Sequence, residues 1–287
     1  MKAHKIFYIV SALSGSIFLS SCAATKNDNS IVTAYGSKMK LGKGYVQSYG
    51  VVEGKRNVKE IGVIISEKSL LGLPKDCGKD LPSEGSRWII CQAQDKNERG
   101  QMNDTMVLTL DMPKNVSKLA GIKKLDFSWL PYGHAPKGVW DKPQFDIHFP
   151  FVRPLGGKNS KLFYSPETSP DQLPNGFIVL PKSGFQWDTA ALKGHSHAAD
   201  PNNSPEFKGG KFNGNFLYLT YEGKAIGYEA YVSKSLLDKK GSFSKSLGTP
   251  ENSYGSSIAP SSLTISYLNN TNEFKVTLSD YKKVNKK

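Results

Sequence analysis

Short stretches in which apolar and polar residues alternate recur along most of this chain, and residues typical of turns separate them. Alternation at every second position is typical of a β-strand with one buried face. Strands are therefore predicted at 45–52, 58–65, 87–92, 105–110, 122–130, 144–151, 177–180, 215–221, 225–232, 262–268 and 273–279. Ser66 is a suitable N-cap for a short helix that ends at Leu71. The pattern predicts a mainly β fold, a β-sandwich or an open barrel of about ten strands, with one or two short helices.

Two pairs of these strands are joined by turns short enough to predict β-hairpins. The turns are Glu222-Gly223-Lys224 and the Asn-rich segment 269–272. Residues 239–261 are rich in Ser, Gly and Lys and are predicted to form a loop, which leaves open whether the second hairpin is separate from the main body. We treat residues 31–280 as one β-rich domain that precedes a basic tail at 281–287.

The N-terminal 21 residues have the pattern of a bacterial signal peptide. Two lysines precede an apolar segment at 6–19, which is too short to span a bilayer comfortably. The segment ends in Leu-Ser-Ser-Cys, which resembles the lipobox at which bacterial lipoproteins are cleaved and acylated. The prediction is a lipoprotein signal peptide at 1–21 and lipidation of Cys22, with an ordinary secretory signal and a chance cysteine as the alternative.

Lipidation of Cys22 would hold the protein at a membrane surface. Each buried methylene of an acyl chain contributes about 0.8 kcal/mol, so the membrane is the partner predicted for the N-terminal lipid. Residue 23 is alanine rather than aspartate, which by similarity to Gram-negative lipoproteins favours the outer membrane, facing the periplasm. The inner membrane and the cell surface are the alternatives left open. The small, polar segment 22–30 is predicted to form a flexible, lipidated tether.

Basic residues outnumber acidic ones, with 38 Lys and Arg against 25 Asp and Glu and a net charge of +13. An exported protein rarely meets nucleic acid, so no nucleic-acid partner is predicted. A solvated basic surface near anionic lipid headgroups or cell-wall polymers is favoured instead. Hydrophobic residues make up 38% of the chain, enough for a packed core, and only the N-terminal apolar segment is long, which excludes a polytopic helical membrane protein.

Besides Cys22, the chain has two cysteines, Cys77 and Cys91. An even pair in an oxidising compartment predicts a disulfide bond. Closing a loop of this size contributes about 3 kcal/mol in the chain-entropy model. Binding of a metal by the two thiols is the weaker alternative, because no histidine lies nearby in the sequence.

The four histidines that follow the predicted signal peptide fall into two clusters that also contain carboxylates. Asp146 and His148 are two positions apart in a predicted strand, so they share its polar face. His195 and His197 share a face in the same way if their segment is extended, and His134 precedes the first cluster. Imidazole and carboxylate donors suit zinc, copper or iron, so these five residues are the predicted metal ligands if the two clusters meet. Polar packing of the histidines and metal-free acid–base catalysis are the alternatives.

Pieces of sequence around these clusters resemble an uncharacterised family of exported bacterial proteins, a domain of unknown function. The pieces are GHAPKGVW (133–140), PQFDIHF (143–149), HAAD (197–200), SPEF (204–207) and YLTYEGKAIGYEAYVSKSLL (218–237), with LGKGYVQSYGVV (41–52) and IGVIISEKSLLGLP (61–74) before them. The resemblance spans residues 35–237. It implies a mostly β fold and self-association into a homo-oligomer, as in ring-forming members, and it implies no activity.

Six candidate residues match motif positions of that family: His134, Asp146, His148, His197, Glu206 and Glu229. Gln144 stands where the family usually has histidine, and if that histidine is a ligand in the family, this chain has lost it. His195 lies outside the family motifs, and it either replaces the lost imidazole or is incidental.

Signatures of common enzyme classes are missing from the sequence, among them the Gly-x-Ser-x-Gly elbow, the P-loop and the dinucleotide fingerprint. We therefore favour a membrane-anchored envelope lipoprotein with a metal- or ligand-binding site and a non-catalytic binding or structural role. The alternative is a metal-dependent periplasmic enzyme, hydrolytic or oxidative, in which Glu206 or Glu229 is the acid–base residue.

Overall fold

The computed structural model of the chain describes residues 29–75, 88–96, 102–133, 137–152, 168–180 and 196–287, and at 88–96, 102–106 and 196 it describes the backbone alone. The predicted signal peptide, Cys22, Cys77, His134, His195 and the side chain of Cys91 lie outside the described part of the chain. Within the described ranges, no helix is both long enough and apolar enough to cross a membrane.

Most strands belong to two antiparallel sheets. The first sheet has six strands, in the order β1 (Ile31–Leu41), β2 (Gly44–Glu53), β3 (Asn57–Ser66), β16 (Glu273–Ser279), β15 (Ser262–Leu268) and β12 (Phe243–Ser246). The second has eight, in the order β4 (Trp88–Lys96), β5 (Met102–Asp111), β6 (Lys124–Leu130), β7 (Gln144–Pro150), β11 (Lys224–Ser233), β10 (Gly214–Tyr221), β9 (Ser196–Ala199) and β8 (Ile178–Val179). The prediction of a mainly β fold is confirmed, and the architecture is a β-sandwich.

Apolar side chains from one face of each sheet form the main core. On β7, Phe145, Ile147 and Phe149 are buried in the same hydrophobic cluster as Ile61 and Val63 of β3. Burying a side chain of this size stabilises the fold by about 1.5–3 kcal/mol. The two sheets are therefore held face to face by the apolar half of the alternating pattern.

The opposite face of the eight-stranded sheet is also covered. All seven residues of β7 are buried, including the polar ones. A second, smaller hydrophobic cluster lies over this face and contains Trp140, Phe212 and Tyr231. Because that cluster comes from loops as well as strands, the polar half of the alternation on β7 is enclosed rather than exposed to solvent.

The helices are short, and both contribute buried residues to the main core. Helix α1 (Lys114–Ala120) buries Val116 and ends at Gly121, whose φ of 76° is in the left-handed region that favours glycine. Helix α2 (Lys234–Asp238) buries Leu236 and Leu237. A 3₁₀ turn at Glu67–Leu70 occupies the helix predicted after Ser66, and further 3₁₀ turns lie at Pro170–Gln172, Pro201–Asn203 and Pro205–Lys208.

Two parts of the first sheet were not predicted from the alternation. Strand β1 is an edge strand whose side chains are mostly exposed, with a bulge between Tyr35 and Lys38, so it shows no regular apolar face. The prediction of a loop at 239–261 was wrong for β12, a four-residue strand of polar and aromatic residues paired with β15. The same region also contains β13 (Asn252–Ser253) and β14 (Ile258–Ala259).

Both predicted hairpins are present, as β10–β11 and β15–β16. The second hairpin is part of the first sheet, because β16 pairs with β3. The segment predicted as a basic tail contains β17 (Lys282–Lys283), paired with β14, and β18 (Asn285–Lys286), paired with β13.

Candidate functional site

Acidic and imidazole side chains alternate across three neighbouring strands of the second sheet. In the strand register, Asp126 of β6 lies opposite His148 of β7, and His148 lies opposite Glu229 of β11. Residues directly opposite each other project from the same face of a sheet. The three side chains therefore form one row on the face covered by the loops, and all three are buried.

Glu229 joins this row to a second histidine. His197 lies on β9, where it is opposite Leu219 of β10. The two oxygens of Glu229 are occupied by different imidazoles: Oε1 is 2.8 Å from His148 Nε2, and Oε2 is 2.9 Å from His197 Nε2. Segments far apart in the sequence thus meet at one buried carboxylate.

Burial and charge act in opposite directions on these groups. Burial alone would lower the pKa of His148, but the charge and hydrogen bond of Glu229, with the charges of Asp146 and Asp126, raise that pKa to about 9. Burial likewise raises the pKa of Glu229, but the two imidazoles hold it well below its usual value. At neutral pH His148 is therefore an imidazolium beside an ionised Glu229.

Polar neighbours hold the other carboxyl groups of this face. Gln144 Nε2 donates a hydrogen bond of 2.7 Å to Asp146 Oδ1, two residues along the same strand. Thr109 Oγ1 donates one of 2.8 Å to Asp126 Oδ1. Burial, followed by the charges of Glu229 and Asp146, raises the pKa of Tyr231 well above its usual value, so its phenol stays protonated. The face thus carries a set of carboxyl groups and imidazoles with fixed orientations.

A second buried network adjoins this row. Glu206 Oε1 accepts hydrogen bonds from Asn215 Nδ2 at 2.6 Å and from Trp140 Nε1 at 3.3 Å. Lys245 Nζ donates to Asn215 Oδ1 and to Ser204 Oγ, both at 2.7 Å. The ring of Trp140 makes an edge contact with Tyr231, with centroids 5.0 Å apart, which connects the two networks.

The structure brings several of the predicted site residues together. His148, His197 and Glu229 are in direct contact, and Asp146 lies on the same face of β7 as His148. Glu206 belongs to the adjoining network through Trp140 and Asn215. His134 and His195, the other two predicted ligands, lie outside the described residues.

The predicted zinc, copper or iron site is not complete in the described residues. Among them, no group of three or more His, Cys, Asp or Glu side chains is arranged to hold a metal ion. The Nε2 atoms of His148 and His197 lie 2.8 and 2.9 Å from the carboxylate oxygens of Glu229.

Two polar residues of these networks, Asp126 and Lys245, were not predicted as site residues from the sequence. Asp126 alternates with Leu125 and Phe127 in the predicted strand 122–130, so that pattern already indicated an outward-facing carboxylate. Lys245 gave no such indication, because it lies among many lysines in a polar segment, yet it is buried.

Comparison of the chain with protein-family models, with curated proteins and with solved structures finds no match. The motif resemblance to an uncharacterised exported family therefore stays a prediction.

Proposed function

We propose that this chain is an exported, lipid-anchored envelope protein that binds a divalent transition-metal ion through His148, His197 and Glu229, without catalysing a reaction. One observation carries the proposal: two Nε2 atoms from strands β7 and β9 converge within 2.9 Å on the two oxygens of a single buried carboxylate. Imidazole nitrogen and carboxylate oxygen are the donor types that zinc, copper and iron prefer in proteins.

The donors are attached to rigid elements. His148 and Glu229 lie opposite each other on adjacent strands, and His197 is on a strand of the same sheet. A site on strands of a packed sheet holds its ligands more firmly than a site on loops. Asp146, oriented by the amide of Gln144, is on the same face and is the next candidate ligand or the partner that orients one.

Metal binding at this position competes with the contacts between Glu229 and the two imidazoles. The Nε2–carboxylate contacts of 2.8 and 2.9 Å must be replaced by metal–ligand bonds, and the imidazoles must lose their protons at the ligating nitrogen. Because His148 carries an extra proton at neutral pH, binding should release protons and strengthen as the pH rises.

Burial favours binding over turnover. The side chains of His148, His197 and Glu229 are 8%, 3% and 1% exposed. Structural metal sites are closed, whereas catalytic sites keep an open coordination position for substrate. Both acid–base candidates of the enzymatic alternative are engaged, Glu206 by Asn215 and Glu229 by two imidazoles.

The predicted cellular location of the protein is the second part of the proposal. Lipid on Cys22 and the tether at 22–30 would place the β-sandwich at the outer membrane, facing the periplasm. A metal site there would serve storage, delivery or stabilisation of the fold.

Metal content tests the proposal. The exported chain from residue 23 to 287, without a histidine tag, is purified from a periplasmic preparation, and its metals are measured by elemental mass spectrometry. We expect about one equivalent of one metal, lost in His148→Asn and His197→Asn and retained in the surface variant Glu53→Gln. Absence of metal after reconstitution with zinc, copper and iron, in protein that circular dichroism shows to be folded, overturns the proposal.

A further inference from the structure

A groove separate from the histidine row runs across the end of the sandwich. It consists of two adjoining cavities of about 1020 and 890 Å³ that share Leu70 and Asp238. Its wall follows the 3₁₀ turn at Glu67–Leu70, the end of β11 and the start of α2. Neither cavity is lined by His148, His197 or Glu229, so the groove is a different site from the buried row.

The larger cavity has an apolar floor. Leu73, Trp129, Val139 and Phe212 line it. The indole nitrogen of Trp129 already donates a hydrogen bond of 2.8 Å to the Pro74 carbonyl, which satisfies the one polar atom of that side chain. The floor therefore offers carbon surface to a ligand, and contact with a hydrocarbon would be favourable.

Lysines surround this floor. Seven of them line the two cavities: Lys43, Lys68, Lys75, Lys142, Lys211, Lys234 and Lys240. Among the described residues of the lining, two are carboxylates, and both are already paired, Asp238 with Lys234 at 2.6 Å and Glu67 with Lys240 at 2.9 Å. The remaining lysines leave the groove with an excess of positive charge.

Four of the lining lysines have no ionic partner within the described part of the chain: Lys43, Lys68, Lys75 and Lys211. The fifth, Lys142, is 3.6 Å from the neighbouring Asp141. Like charges gathered around a concave surface repel one another, and a bound anion relieves that repulsion. The groove is thus complementary to a negatively charged group.

We propose that this groove binds one molecule of an anionic single-chain amphiphile, with its hydrocarbon chain on the apolar floor and its acidic head among the lysines. The concave shape supports this occupant, because pockets for small molecules are concave, and each of the two cavities, at about 1020 and 890 Å³, is large enough for a small ligand. Lysine ammonium groups act as mobile point charges, so they select for the charge of the head group rather than for a planar shape.

Calorimetric titration of the chain 23–287, which keeps every described residue, tests the proposal with dodecyl phosphate below its critical micelle concentration. Two further probes separate the contributions of the acidic head group and of the hydrocarbon chain to binding. Butyl phosphate has the phosphate head group without a long hydrocarbon chain. Dodecyltrimethylammonium has the long hydrocarbon chain with a head group of opposite charge. We expect binding of dodecyl phosphate with a stoichiometry of one and a negative heat-capacity change, as apolar burial requires. Equal binding of either other probe overturns the proposal.

Charge reversal of lysines that line the groove provides a second test of the proposal. Lys142→Glu combined with Lys211→Glu should weaken dodecyl phosphate binding by about tenfold or more. The matched variant Lys55→Glu combined with Lys283→Glu carries the same change in net charge away from the groove, and its binding should stay within about twofold. Equal weakening in both double variants would indicate a general charge effect and contradict the proposed site. Binding of anionic vesicles without binding of dodecyl phosphate would assign the surface to membrane contact instead, and also contradicts it.

Discussion

Glu229 Oε1 lies 2.8 Å from His148 Nε2, on adjacent strands in which the two residues are directly opposite each other. The contact is buried beneath the loops that cover the second sheet, and the other oxygen of Glu229 holds His197. One carboxylate thus fixes imidazoles from two separate segments of the chain. The arrangement of both imidazoles therefore depends on this carboxylate.

Replacing Glu229 by glutamine should destabilise the metal-free protein. The change keeps the shape of the side chain but removes the charge that faces His148 and His197, and breaking a buried ion pair typically costs about 3–5 kcal/mol. Unfolding by urea, followed by fluorescence and circular dichroism after chelator treatment, measures the loss. Glu53→Gln, at a surface ion pair with Lys59, is the control and should change the stability by less than about 1 kcal/mol. Equal stability of the Glu229 variant and the wild type would refute the structural importance of the contact.

The variant Lys245→Met should reveal the lowered pKa of a buried lysine through the pH dependence of stability. Burial lowers the pKa of Lys245, while Glu206 and Asp200 partly oppose that shift. In the unfolded chain the pKa returns to its usual value of 10.5, so at alkaline pH the unfolded state binds more protons than the folded state. The stability of the wild type relative to Lys245→Met should therefore increase as the pH rises toward 10.5.

Urea unfolding at several alkaline pH values measures the free energy of unfolding of the wild type and of Lys245→Met. Subtracting one free energy from the other removes the titration of the groups that the two proteins share. At neutral pH the variant should be less stable by about 1–3 kcal/mol, because Ser204 and Asn215 lose their donor. A stability difference that does not change with pH would show that Lys245 titrates normally.

Gln144→His tests whether a ligand has been lost from the site. The position is buried on β7, and its amide donates to Asp146. An imidazole there adds a donor on the same face as His148, so we expect zinc affinity to increase by roughly tenfold, measured by competition with a chromogenic chelator. His195→Ala is the companion variant and should reduce the stoichiometry if His195 replaces the lost ligand. If neither substitution alters metal binding, the compensation hypothesis fails.

The ion pair between Lys287 and Asp171 should be lost at low pH. Hydrogen bonds from Lys287 and Ser169 outweigh partial burial and, with Asn252 Nδ2 at 2.5 Å, lower the pKa of Asp171 to about 2. Because the folded pKa is below the usual 3.8, the contact stabilises the fold above that pH, and the stabilisation is lost as the pH falls toward 2.

Carboxyl carbon chemical shifts followed by NMR report this titration. We expect the pKa of Asp171 to move toward 3.8 in Lys287→Ala and to stay near 2 in Lys286→Ala, whose side chain makes no ion pair among the described residues. Equal titration of Asp171 in both variants would argue against a role for Lys287.

The sequence predicted the polar face of the site but not its contacts. The two-residue spacing of Asp146 and His148 places both on one face of a strand, and β7 confirms it. The turn at Glu222-Gly223-Lys224 predicted the β10–β11 hairpin that carries Glu229. The meeting of His148, Glu229 and His197 was not predictable, because it depends on the pairing of β7 with β11 and of β9 with β10, which local periodicity does not specify.

Strands β1 and β12 were not predicted because neither has a regular apolar face. Most residues of β1 are exposed, so no buried face imposes alternation on them. In β12, the buried position Lys245 is a charged residue that finds its partners, Ser204 and Asn215, across the sandwich. Strand prediction from hydrophobicity fails where polar contacts replace apolar burial.

The most direct test of the metal proposal is anomalous X-ray diffraction from crystals of the chain 23–287 grown with one equivalent of zinc. Data collected above and below the zinc absorption edge give a difference map that locates the metal independently of the atomic model. We expect one peak about 2.0–2.1 Å from the Nε2 atoms of His148 and His197. A map without a peak there, with Glu229 still in contact with both imidazoles, would contradict the metal proposal and leave the row as a buried ionic network that stabilises the sheet.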